Sequence, residues 1–455
     1  MIDVTEEGAD PEGNESITPV LRELRGNDTL LKFPEGRYYM DSQFRFTNFE
    51  NFGLVGYDAT LVPASYHDFD GPRYRLFRLG TASNPGVDAR MEGFRVDQRA
   101  DNTGIRVISA EVTDGLFVQD IYIHGVHDSG TWGPGLFNVL DPSGTGRVRR
   151  FRAFDGGVPT DETPHAGQTS ARGPSGINTN AHSYGHIRYE GCVLGGFPGN
   201  GLYAVSEGRI DVDHGWFQNC QGGSIRLGAP RGSIKHAVVV INRNTNETYR
   251  QIPIRIDRAN WITIEDVSIR MPRPNGYAIR LMNGVNGASI RDSDVYVGPK
   301  VNSGIRIDPE TGPTYISNVD IQFDGGGNAI KILGTDAGEV GLQDVRITGD
   351  ASGSPMRHAI YCERNGARFR YLEVDQRGPS RRRALELNGS DYIVYDSSFH
   401  TTNFPIVING DDVWIGRCYS RAEDDSASVR ISSVAGDNIR FGRANEFPNG
   451  IIDRR

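Results

Sequence analysis

The sequence predicts an all-β fold in which the chain winds as a parallel β-helix, a solenoid of about fifteen coils. The first observation is a short pattern, an apolar residue followed two positions later by Asp or Asn, which recurs every 26 residues at Ile264, Ile290, Ile316 and Leu342. The second is a short apolar strand that recurs between these copies. The third is the 57 glycines, which follow no triplet repeat and suit several tight turns per coil. A period of this size in a β-rich chain is typical of stacked coils.

A short helix is predicted at the N-terminal end, over residues 17–24. Thr18 precedes Pro19, which is a favourable start for a helix. The apolar residues of this segment share one face, so the helix can cover the open end of the first coil. A strand from Leu30 is expected to follow it.

Weaker copies of the pattern extend the solenoid in both directions. The best coil contains two strands, at 261–269 and 276–281, separated by turns. Alternation along each strand places Ile and Leu inward and one variable residue outward. The weaker copies lie at Leu54, Met91, Val118, Val148, Tyr189, Val212 and Ile234, and at Phe369, Val394, Ile415 and Phe441.

The chain is predicted to form one domain, because a solenoid grows by contacts between neighbouring coils. Residues 1–50 would form the N-terminal cap and the first strand, and residues 51–455 the parallel β-helix. The longest interruption of the period predicts a loop insertion around 154–185.

The polar residue of the pattern is expected at the same turn of every coil, where its side chain can bond to neighbouring backbone groups. Stacked Asp266 and Asp292 would repel each other unless a proton, a water or a cation lies between them. His214 and His236 fall in the same row. They are either polar turn residues of a ladder or part of a metal or acid–base site.

Composition excludes some classes of function. Acidic residues exceed basic ones by 58 to 49, and this mild excess argues against a general nucleic-acid binder. The basic residues are 45 Arg and 4 Lys, which favours a high-GC or salt-adapted, halophilic source. The four cysteines have no metal-ligand spacing and are predicted to be small buried apolar residues.

The sequence contains no recognisable export segment in its first residues, MIDVTEEGAD, and no later stretch approaches membrane-spanning length. We therefore expect no membrane insertion. An extracellular or virion-surface location would require that a signal was removed or that the protein leaves its cell by another route.

The N-terminal segment combines the turn Gly8-Ala9-Asp10-Pro11, the helix from Thr18 and the strand Phe33-Pro34-Glu35-Gly36-Arg37-Tyr38. These elements resemble the opening segment of the pectate-lyase-like right-handed parallel β-helix superfamily. With the coils, the resemblance covers essentially the whole chain and implies a right-handed solenoid. It selects no function, because the superfamily includes lyases, hydrolases, epimerases, viral tailspikes and adhesins.

The hydrolytic signature of polygalacturonase-type members, with N-T-D, D-D, G-H-G and R-I-K motifs, is missing. A lyase would need an Arg or Lys base beside carboxylates that hold calcium, and no isolated Asp cluster is evident. We therefore expect no metal site and no cofactor, and calcium is not indicated. The nearest fragments, out of order, are Asp213-His214-Gly215, Gly185-His186-Ile187 and Ala329-Ile330-Lys331-Ile332.

A row of cations is predicted at the outward position of the second strand in five consecutive coils. Like charges about 5 Å apart repel, so something should offset that repulsion. One interpretation is ion pairing with Asp257, Asp308 or other nearby acids. The other is a glycan-binding groove in which uronate, sulfate or sialate-like groups bridge the guanidiniums. The five cations are Arg226, Arg255, Arg280, Arg306 and Lys331.

Tyr203 and Tyr361 flank this row at equivalent outward positions. In the groove interpretation they would stack on sugar rings. Exposed aromatic residues are also common on β-sheets that bind no ligand.

The long loop offers weak catalytic candidates, because it carries Asp155, His165, His182 and His186. The alternative is a solvated loop that packs on another subunit. A second loop, 123–135, offers His124, His127, Asp128 and Trp132. Together the two loops are expected to wall one end of the groove.

The leading hypothesis is a surface-recognition protein, a tailspike or adhesin used for host attachment. It would be a homotrimer or a subunit of another virion or extracellular assembly, and would bind acidic cell-surface polysaccharide along an outer sheet. The rival is a secreted polysaccharide lyase or glycoside hydrolase, so enzymatic activity stays open. A third hypothesis is an architectural rod without a ligand. No nucleic-acid partner is expected.

Overall fold

The computed structural model describes residues 1–71, 73–164, 173–244, 250–300, 303–351, 358–378 and 381–455. They form two compact units, Met1–Gly232 and Ser233–Arg455. Each unit is a parallel β-solenoid, so the predicted all-β fold, a right-handed parallel β-helix, is confirmed. Each coil contributes strands to two parallel sheets, which we call sheet I and sheet II.

The first unit begins with one short strand, Ile2–Asp3, and the helix α1 (Thr18–Leu24). A single turn of 3-10 helix, Thr160–Glu162, lies in its long loop. The strands of sheet I are β1 (Ile2–Asp3), β2 (Thr29–Phe33), β3 (Gly36–Met40), β5 (Glu50–Pro63), β7 (Val87–Asp97), β9 (Leu116–His124), β11 (Thr145–Ala153), β13 (His186–Glu190), β14 (Val193–Gly195), β16 (Arg209–Asp213) and β17 (Trp216–Gln218). Those of sheet II are β4 (Phe44–Phe46), β6 (Arg75–Leu79), β8 (Arg106–Val112), β10 (Gly135–Val139), β12 (Ile177–Thr179), β15 (Leu202–Val205) and β18 (Ile225–Gly228).

The chain passes into the second unit within β19 (Arg231–Lys235). The strands of sheet I here are β20 (Val238–Val240), β22 (Trp261–Glu265), β23 (Ser268–Met271), β25 (Ala288–Val297), β27 (Thr314–Phe323), β29 (Val340–Thr348), β31 (Arg368–Gln376), β33 (Ser390–Tyr395), β34 (Ser398–Thr401), β36 (Asp411–Gly416), β37 (Tyr419–Ala422) and β39 (Arg440–Phe441). Those of sheet II are β21 (Ile254–Ala259), β24 (Ile279–Val285), β26 (Ile305–Ile307), β28 (Ile330–Ile332), β30 (His358–Cys362), β32 (Arg383–Leu387), β35 (Ile406–Ile408), β38 (Val429–Ile431) and β40 (Ile451–Asp453).

The apolar residues of the coil pattern are register partners of one another. The structure has about 16 turns, in agreement with the predicted number of about fifteen coils. The sequence pattern missed the first because Leu31 is followed two positions later by Phe33 and not by a polar residue. The partners in the first unit are, in order, Leu31, Leu54, Met91, Val118, Val148, Tyr189 and Val212. In the second unit they are Ile264, Ile290, Ile316, Leu342, Phe369, Val394, Ile415 and Phe441.

The residue two positions after the apolar one adopts left-handed backbone geometry in most coils. We call these positions the bend row. Its φ angles in the second unit lie between 50° and 53°, from His236 to Arg417. Asn, Asp and Gly tolerate this geometry best, so the recurrence of Asp and Asn follows from the backbone. The bend row comprises Gly93, Asp120, Arg150, Gly191 and His214, and then His236, Asp266, Asp292, Asn318, Asp344, Tyr371, Asp396 and Arg417.

Side chains of the bend row also bond along the stack. Asn318 Nδ2 donates to Asp292 Oδ1 at 2.7 Å, which places an amide next to a carboxylate. Arg417 forms two hydrogen bonds with Asp396, both at 2.6 Å. An amide or a guanidinium next to a carboxylate reduces the repulsion that a continuous row of carboxylates would create.

The histidines of the bend row also contact acids. His214 Nδ1 lies 2.8 Å from an oxygen of its neighbour Asp213. His236 Nε2 lies 3.7 Å from Asp266 Oδ2. Both contacts suit polar turn residues of a ladder.

The predicted N-terminal helix is present over Thr18–Leu24, with Pro19 in its first turn. Leu21 is fully buried, which fixes the apolar face of the helix against the first unit. The hydroxyl of Thr18 donates to the carbonyl of Ser42 at 3.1 Å instead of capping the helix. In the described part of the chain, no helix has the length and apolar character needed to cross a membrane.

Apolar side chains fill the interior of each unit, and the four cysteines are buried and unpaired, as predicted. A buried arginine interrupts this pattern in the second unit. Arg364 is fully buried and donates to four backbone carbonyls of neighbouring turns, so its charge is solvated by peptide dipoles. The acceptors are Gly334 at 2.8 Å, Thr311 at 2.8 Å, Gly338 at 3.1 Å and Leu333 at 2.9 Å.

We expect Asp344→Ala to lower the free energy of unfolding by about 1 kcal/mol, because an L-residue with a Cβ and no compensating polar group is strained at φ 52°. Asp344→Gly should stay within about 0.5 kcal/mol of the wild type. Chemical denaturation measures both. Gln343→Ala, in the same turn, is the matched control, and equal losses for Ala and Gly at position 344 would contradict the backbone explanation.

We expect Arg364→Met to lower the free energy of unfolding by about 3 kcal/mol or more, because four buried carbonyls lose their donor. The exposed Arg377→Met serves as the control and should change it by less than about 0.5 kcal/mol. Thermal and denaturant unfolding provide the measurement. A loss no larger than that of the control would show that the carbonyls find other donors.

Candidate functional site

The row of cations lies on sheet II, where the sequence placed it. Arg255, Arg280, Arg306 and Lys331 are successive register partners in the second unit. In the first unit, Arg226 is the register partner of Tyr203. The alternation of inward and outward residues therefore holds along this sheet.

Carboxylates of the same unit already pair with the guanidiniums of this row. Arg255 Nε lies 2.6 Å from Asp257 Oδ1. Arg280 and Arg306 share Asp308, at 2.8 Å and 2.6 Å. The three arginine side chains are only 21–23% exposed. Pairing with Asp257 and Asp308, the first of the two interpretations, is thus observed for Arg255, Arg280 and Arg306, and it offsets two of their three positive charges.

Aromatic rings lie against two cations of the row. The Tyr203 ring lies 4.9 Å from the Arg226 guanidinium, and the Tyr361 ring lies 5.5 Å from Lys331 Nζ. Both tyrosines thus contact the protein's own cations through their ring faces. Tyr361 also donates its hydroxyl proton to Glu363 at 2.8 Å.

Tyr277, which sequence reasoning missed, joins three arginines of the second unit. Its ring lies 5.1–5.5 Å from the guanidiniums of Arg250, Arg280 and Arg306. Its hydroxyl accepts from Arg250 at 2.7 Å and from Arg306 at 3.3 Å. This cluster is rigid because each guanidinium has a fixed partner.

The weak catalytic candidates contact different partners. Asp155 accepts from the backbone N–H of Gly125 at 2.7 Å. His186 Nε2 lies 2.8 Å from Asp211 Oδ2. His182 is exposed at the edge of a cavity described below. His165 lies outside the described residues.

The first unit contains a cavity of about 820 Å³ over sheet II, which we call the arginine cavity. Five of its lining residues are arginines, and one is acidic. This excess of positive charge is concentrated in one concave site, which is where ligands usually bind. The lining residues are Arg45, Arg73, Arg75, Arg78, Thr81, Ala82, Ser83, Arg106, Glu111, Thr131, Trp132, Leu136, Asn180 and His182.

Strand register brings the arginines together. Arg45 of β4 is the partner of Arg78 of β6, and Arg75 of β6 is the partner of Arg106 of β8. Neighbouring parallel strands lie about 4.8 Å apart, so these guanidiniums crowd one short stretch of the sheet. Arg73 precedes β6 and has φ 61°. Non-glycine residues with this geometry cost free energy and often occur at functional sites.

Arg78 is the one cavity arginine with a carboxylate partner in the described part of the chain. Its Nη2 lies 2.7 Å from Glu111 Oε1, and its Nη1 donates to Ser109 at 2.9 Å. The other carboxylate oxygen of Glu111 accepts from Asn138 at 3.2 Å. Glu111 is therefore held in place by two donors.

Arg75 and Arg106 are buried without such a partner, at 7% and 6% exposure. Arg106 Nε donates to the Gly133 carbonyl at 2.9 Å. Arg75 Nε and Arg106 Nη2 are buried and have no hydrogen-bond acceptor among the residues that the structure describes. Burial and the neighbouring arginines lower the pKa of Arg75 to about 10 and that of Arg106 to about 9. Both groups stay charged at neutral pH, so an anion bound here would be strongly stabilised.

Residues of the two loops that were expected to wall the groove along the cation row lie instead around this cavity. Trp132, from the loop 123–135, is 46% exposed, so its ring is available to a ligand. Asn180 and His182 come from the end of the long loop. Hydroxyl and amide side chains at the rim can bond to sugar hydroxyls, and an exposed tryptophan can stack on a sugar ring.

His127 lies behind this wall and does not act as an acid or base there. It is buried, and its Nε2 lies 2.9 Å from the hydroxyl of Thr131. Burial, aided by the charge of Arg106, lowers the pKa of His127 to about 3. The ring is therefore neutral at physiological pH. Asp128 instead accepts from the backbone N–H of Gly104 at 2.9 Å.

The sequence could have pointed to part of this site. Arg45 and Arg78 belong to the same outward row of the first unit as Tyr203 and Arg226, so extending that row towards the N-terminus would have reached them. Arg73 lies in a turn outside the coil period, and Arg75 and Arg106 lie at the starts of their strands. Arg75 and Arg106 come together because β6 and β8 pair in this register, and the local sequence pattern does not specify that register at the starts of these strands.

The cavity offers little to a metal ion. Glu111 is the one carboxylate among its lining residues. Calcium requires several oxygen ligands, usually including carboxylates, and the surrounding arginines repel cations. The cavity is suited to anions.

No protein-family model matches the sequence, and the search of curated proteins gives no match. Solved structures with a similar fold include the catalytic unit of a thermostable α-1,3-glucanase from Streptomyces thermodiastaticus, at 12% identity and TM-score 0.34, with 99% of this chain and 69% of that chain covered. The surface protein and adhesin PfbA of Streptococcus pneumoniae is 10% identical, with 99% of both chains covered and TM-score 0.43. ORF18 of Geobacillus virus E2 is 11% identical, with 82% and 61% covered and TM-score 0.35.

These similarities concern the fold alone. The parallel pairing of strands within each unit and the repeated bend row are features of this chain itself. The similar folds agree with the parallel β-helix architecture that the strand pairing of this chain shows directly.

We expect His127 to make the protein sensitive to acid. Its pKa is about 3 when folded and near 6.5 when unfolded, so between these values the unfolded state binds more protons. The free energy of unfolding should therefore fall as pH decreases from about 6.5 towards 3, by about 1 kcal/mol per pH unit from this residue. Denaturant unfolding of the wild type and His127→Gln at several pH values measures the effect. Parallel curves for the two proteins would contradict the assignment.

Proposed function

We propose that this chain is a surface-recognition protein that binds an acidic polysaccharide through the arginine cavity of its first unit. The observation that carries the proposal is the set of cavity arginines without a carboxylate partner among the described residues: Arg45, Arg73, Arg75 and Arg106. Such a set selects an anionic ligand, because a neutral one would leave the buried charges uncompensated.

Electrostatics and shape together favour a saccharide over a simple anion. The cavity is large enough for more than one sugar ring by the usual size of ligand pockets, which is about 300–1,000 Å³. Trp132 offers an exposed ring, and Thr81, Ser83 and Asn180 offer hydroxyl and amide groups at the rim. Guanidinium forks bind carboxylate and sulfate groups through paired hydrogen bonds.

The row on sheet II of the second unit is a weaker glycan-binding candidate. Asp257 and Asp308 together offset two of the three positive charges of Arg255, Arg280 and Arg306 there. A polysaccharide would have to compete with these ion pairs. We propose that the arginine cavity, and not this row, provides most of the binding free energy.

A polysaccharide lyase is the second candidate function. The pKa of Arg106 is lowered to about 9, so a lyase that uses this guanidinium as the base for a uronate proton would be active only at alkaline pH, where the group becomes neutral. A glycoside hydrolase is less suited to the cavity, because it normally needs two carboxyl groups and Glu111 is the single one in the lining. Release of unsaturated uronides, followed by absorbance, would support the lyase.

The assembly around this binding function is a separate hypothesis. We propose a homotrimer, or a subunit of another assembly, on a virion or cell surface, where a rigid solenoid could present the cavity to host polysaccharide. Light scattering of the purified protein tests the trimer, and a monomer at micromolar concentration would contradict it.

We expect Arg45→Gln and Arg73→Gln each to weaken binding to an acidic polysaccharide by about 10-fold, because each removes one charge-assisted contact. Both side chains are exposed, so neither change should disturb the fold. Isothermal titration calorimetry at a fixed, low salt concentration gives the dissociation constants.

Two matched controls separate the proposals. Arg188→Gln removes an exposed arginine of sheet I and should leave binding unchanged. Arg255→Gln tests the row of the second unit and should change it less than twofold. If Arg45→Gln and Arg73→Gln bind as tightly as the wild type while Arg255→Gln loses affinity, the polysaccharide binds at that row and not in the cavity.

A further inference from the structure

We infer that Arg75 and Arg106 form a subsite for one sulfate-type oxyanion, and that the polysaccharide bound in the arginine cavity is sulfated. This inference rests on the proposed function. It adds the chemical class of the ligand and the position of one of its groups.

The two arginines are placed as a pair. They are register partners on the adjacent parallel strands β6 and β8, so their backbones lie about 4.8 Å apart. Both line the cavity, and both are more than nine-tenths buried. Two like charges at this spacing, partly removed from water, repel strongly unless an anion lies between them.

Unused donors identify where such an anion would bind. Arg75 Nε and Arg106 Nη2 are buried, and no atom in the described part of the chain accepts a hydrogen bond from either. The bond from Arg106 Nε to the Gly133 carbonyl fixes the orientation of that guanidinium. A group that brings several oxygen atoms can accept from both arginines at once, which a hydroxyl cannot do while also supplying negative charge.

The cavity's own acid does not fill this role. Glu111 is engaged by Arg78 on one oxygen and by Asn138 on the other. Burial and the neighbouring arginines lower the pKa values of Arg75 and Arg106, which agrees with a site whose positive charge is not yet balanced. The missing negative charge must therefore come with the ligand.

Charge density distinguishes sulfated glycans from uronans. Arg45, Arg75 and Arg106 lie on three neighbouring strands, within about 10 Å along the sheet, and Arg73 lies beside them. A uronan carries a single carboxylate on each sugar ring. Sulfate esters can add several negative charges to one ring, so a sulfated segment can balance these four guanidiniums within that length.

The first test uses inorganic sulfate as the probe. Sodium sulfate should raise the Tm of the wild type by about 2 °C or more relative to sodium chloride at equal ionic strength, because ligand binding stabilises the folded state. Arg75→Gln should abolish this difference. The side chain of Arg75 makes no hydrogen bond to a described residue, so its replacement should leave the fold intact. Arg188→Gln is the control and should retain the shift.

A second variant keeps the test decisive. Arg75→Lys retains the positive charge but removes the Nε–H, so it should recover less than half of the sulfate-dependent shift. An equal shift in the wild type and in Arg75→Gln would overturn the subsite. Loss of the shift in Arg188→Gln as well would also overturn it, because the effect would then come from general ion binding.

The second test compares polysaccharides by calorimetry. Dextran sulfate should bind at least 10-fold more tightly than polygalacturonate, and dextran itself should not bind. The preference for dextran sulfate should fall by about 10-fold in Arg75→Gln. Equal binding of dextran sulfate and polygalacturonate would overturn the sulfated-ligand inference and leave the proposed function standing. Failure of both anionic polymers to bind would overturn both proposals.

Discussion

The left-handed residue at the bend of most coils is the constraint on which the rest of the structure depends. It turns the chain at the same height in successive coils, from Gly93 to Arg417, and so keeps the apolar residue before it in register with its neighbours. Where that residue is Asp or Asn, the geometry costs little. Where it is Tyr371 or Arg417, packing and ion pairing must offset a larger cost, and Arg417 has its pair in Asp396.

The buried and half-buried arginines Arg364, Arg280, Arg75 and Arg106 lie in contrasting environments, and the contrast supports the proposed site. Arg364 is buried with four carbonyl acceptors, and Arg280 is half-buried with a carboxylate. Both are satisfied within the chain. Arg75 and Arg106 are also buried, but each keeps a donor that has no acceptor among the described residues. Burial of an unsatisfied charge destabilises a protein, so a ligand that supplies the missing acceptors explains why such groups persist.

The fold could be predicted from the sequence because its determinants are local. The period, the inward residues and the helix from Thr18 each depend on a few neighbouring positions. The arginine cavity could not be predicted in the same way, because β6 and β8 must align before Arg75 and Arg106 meet. The row of Arg255, Arg280 and Arg306 was visible to the sequence since it follows the coil period. The sequence predicted ion pairing of this row as one of two interpretations. It could not decide between them, because the pairing of Asp308 with both Arg280 and Arg306 depends on how neighbouring coils stack.

Because the coils of the second unit are regular, the chain can become longer or shorter by one whole coil without disturbing the others. Between Ile264 and Leu342 each copy is 26 residues long and begins at the same register position. Duplication or deletion of one whole coil would leave every inward residue inside. Insertion or deletion of a single residue within a strand would exchange its inward and outward faces. Homologous chains should therefore differ in length by complete coils, while insertions of other sizes accumulate in the loops between strands.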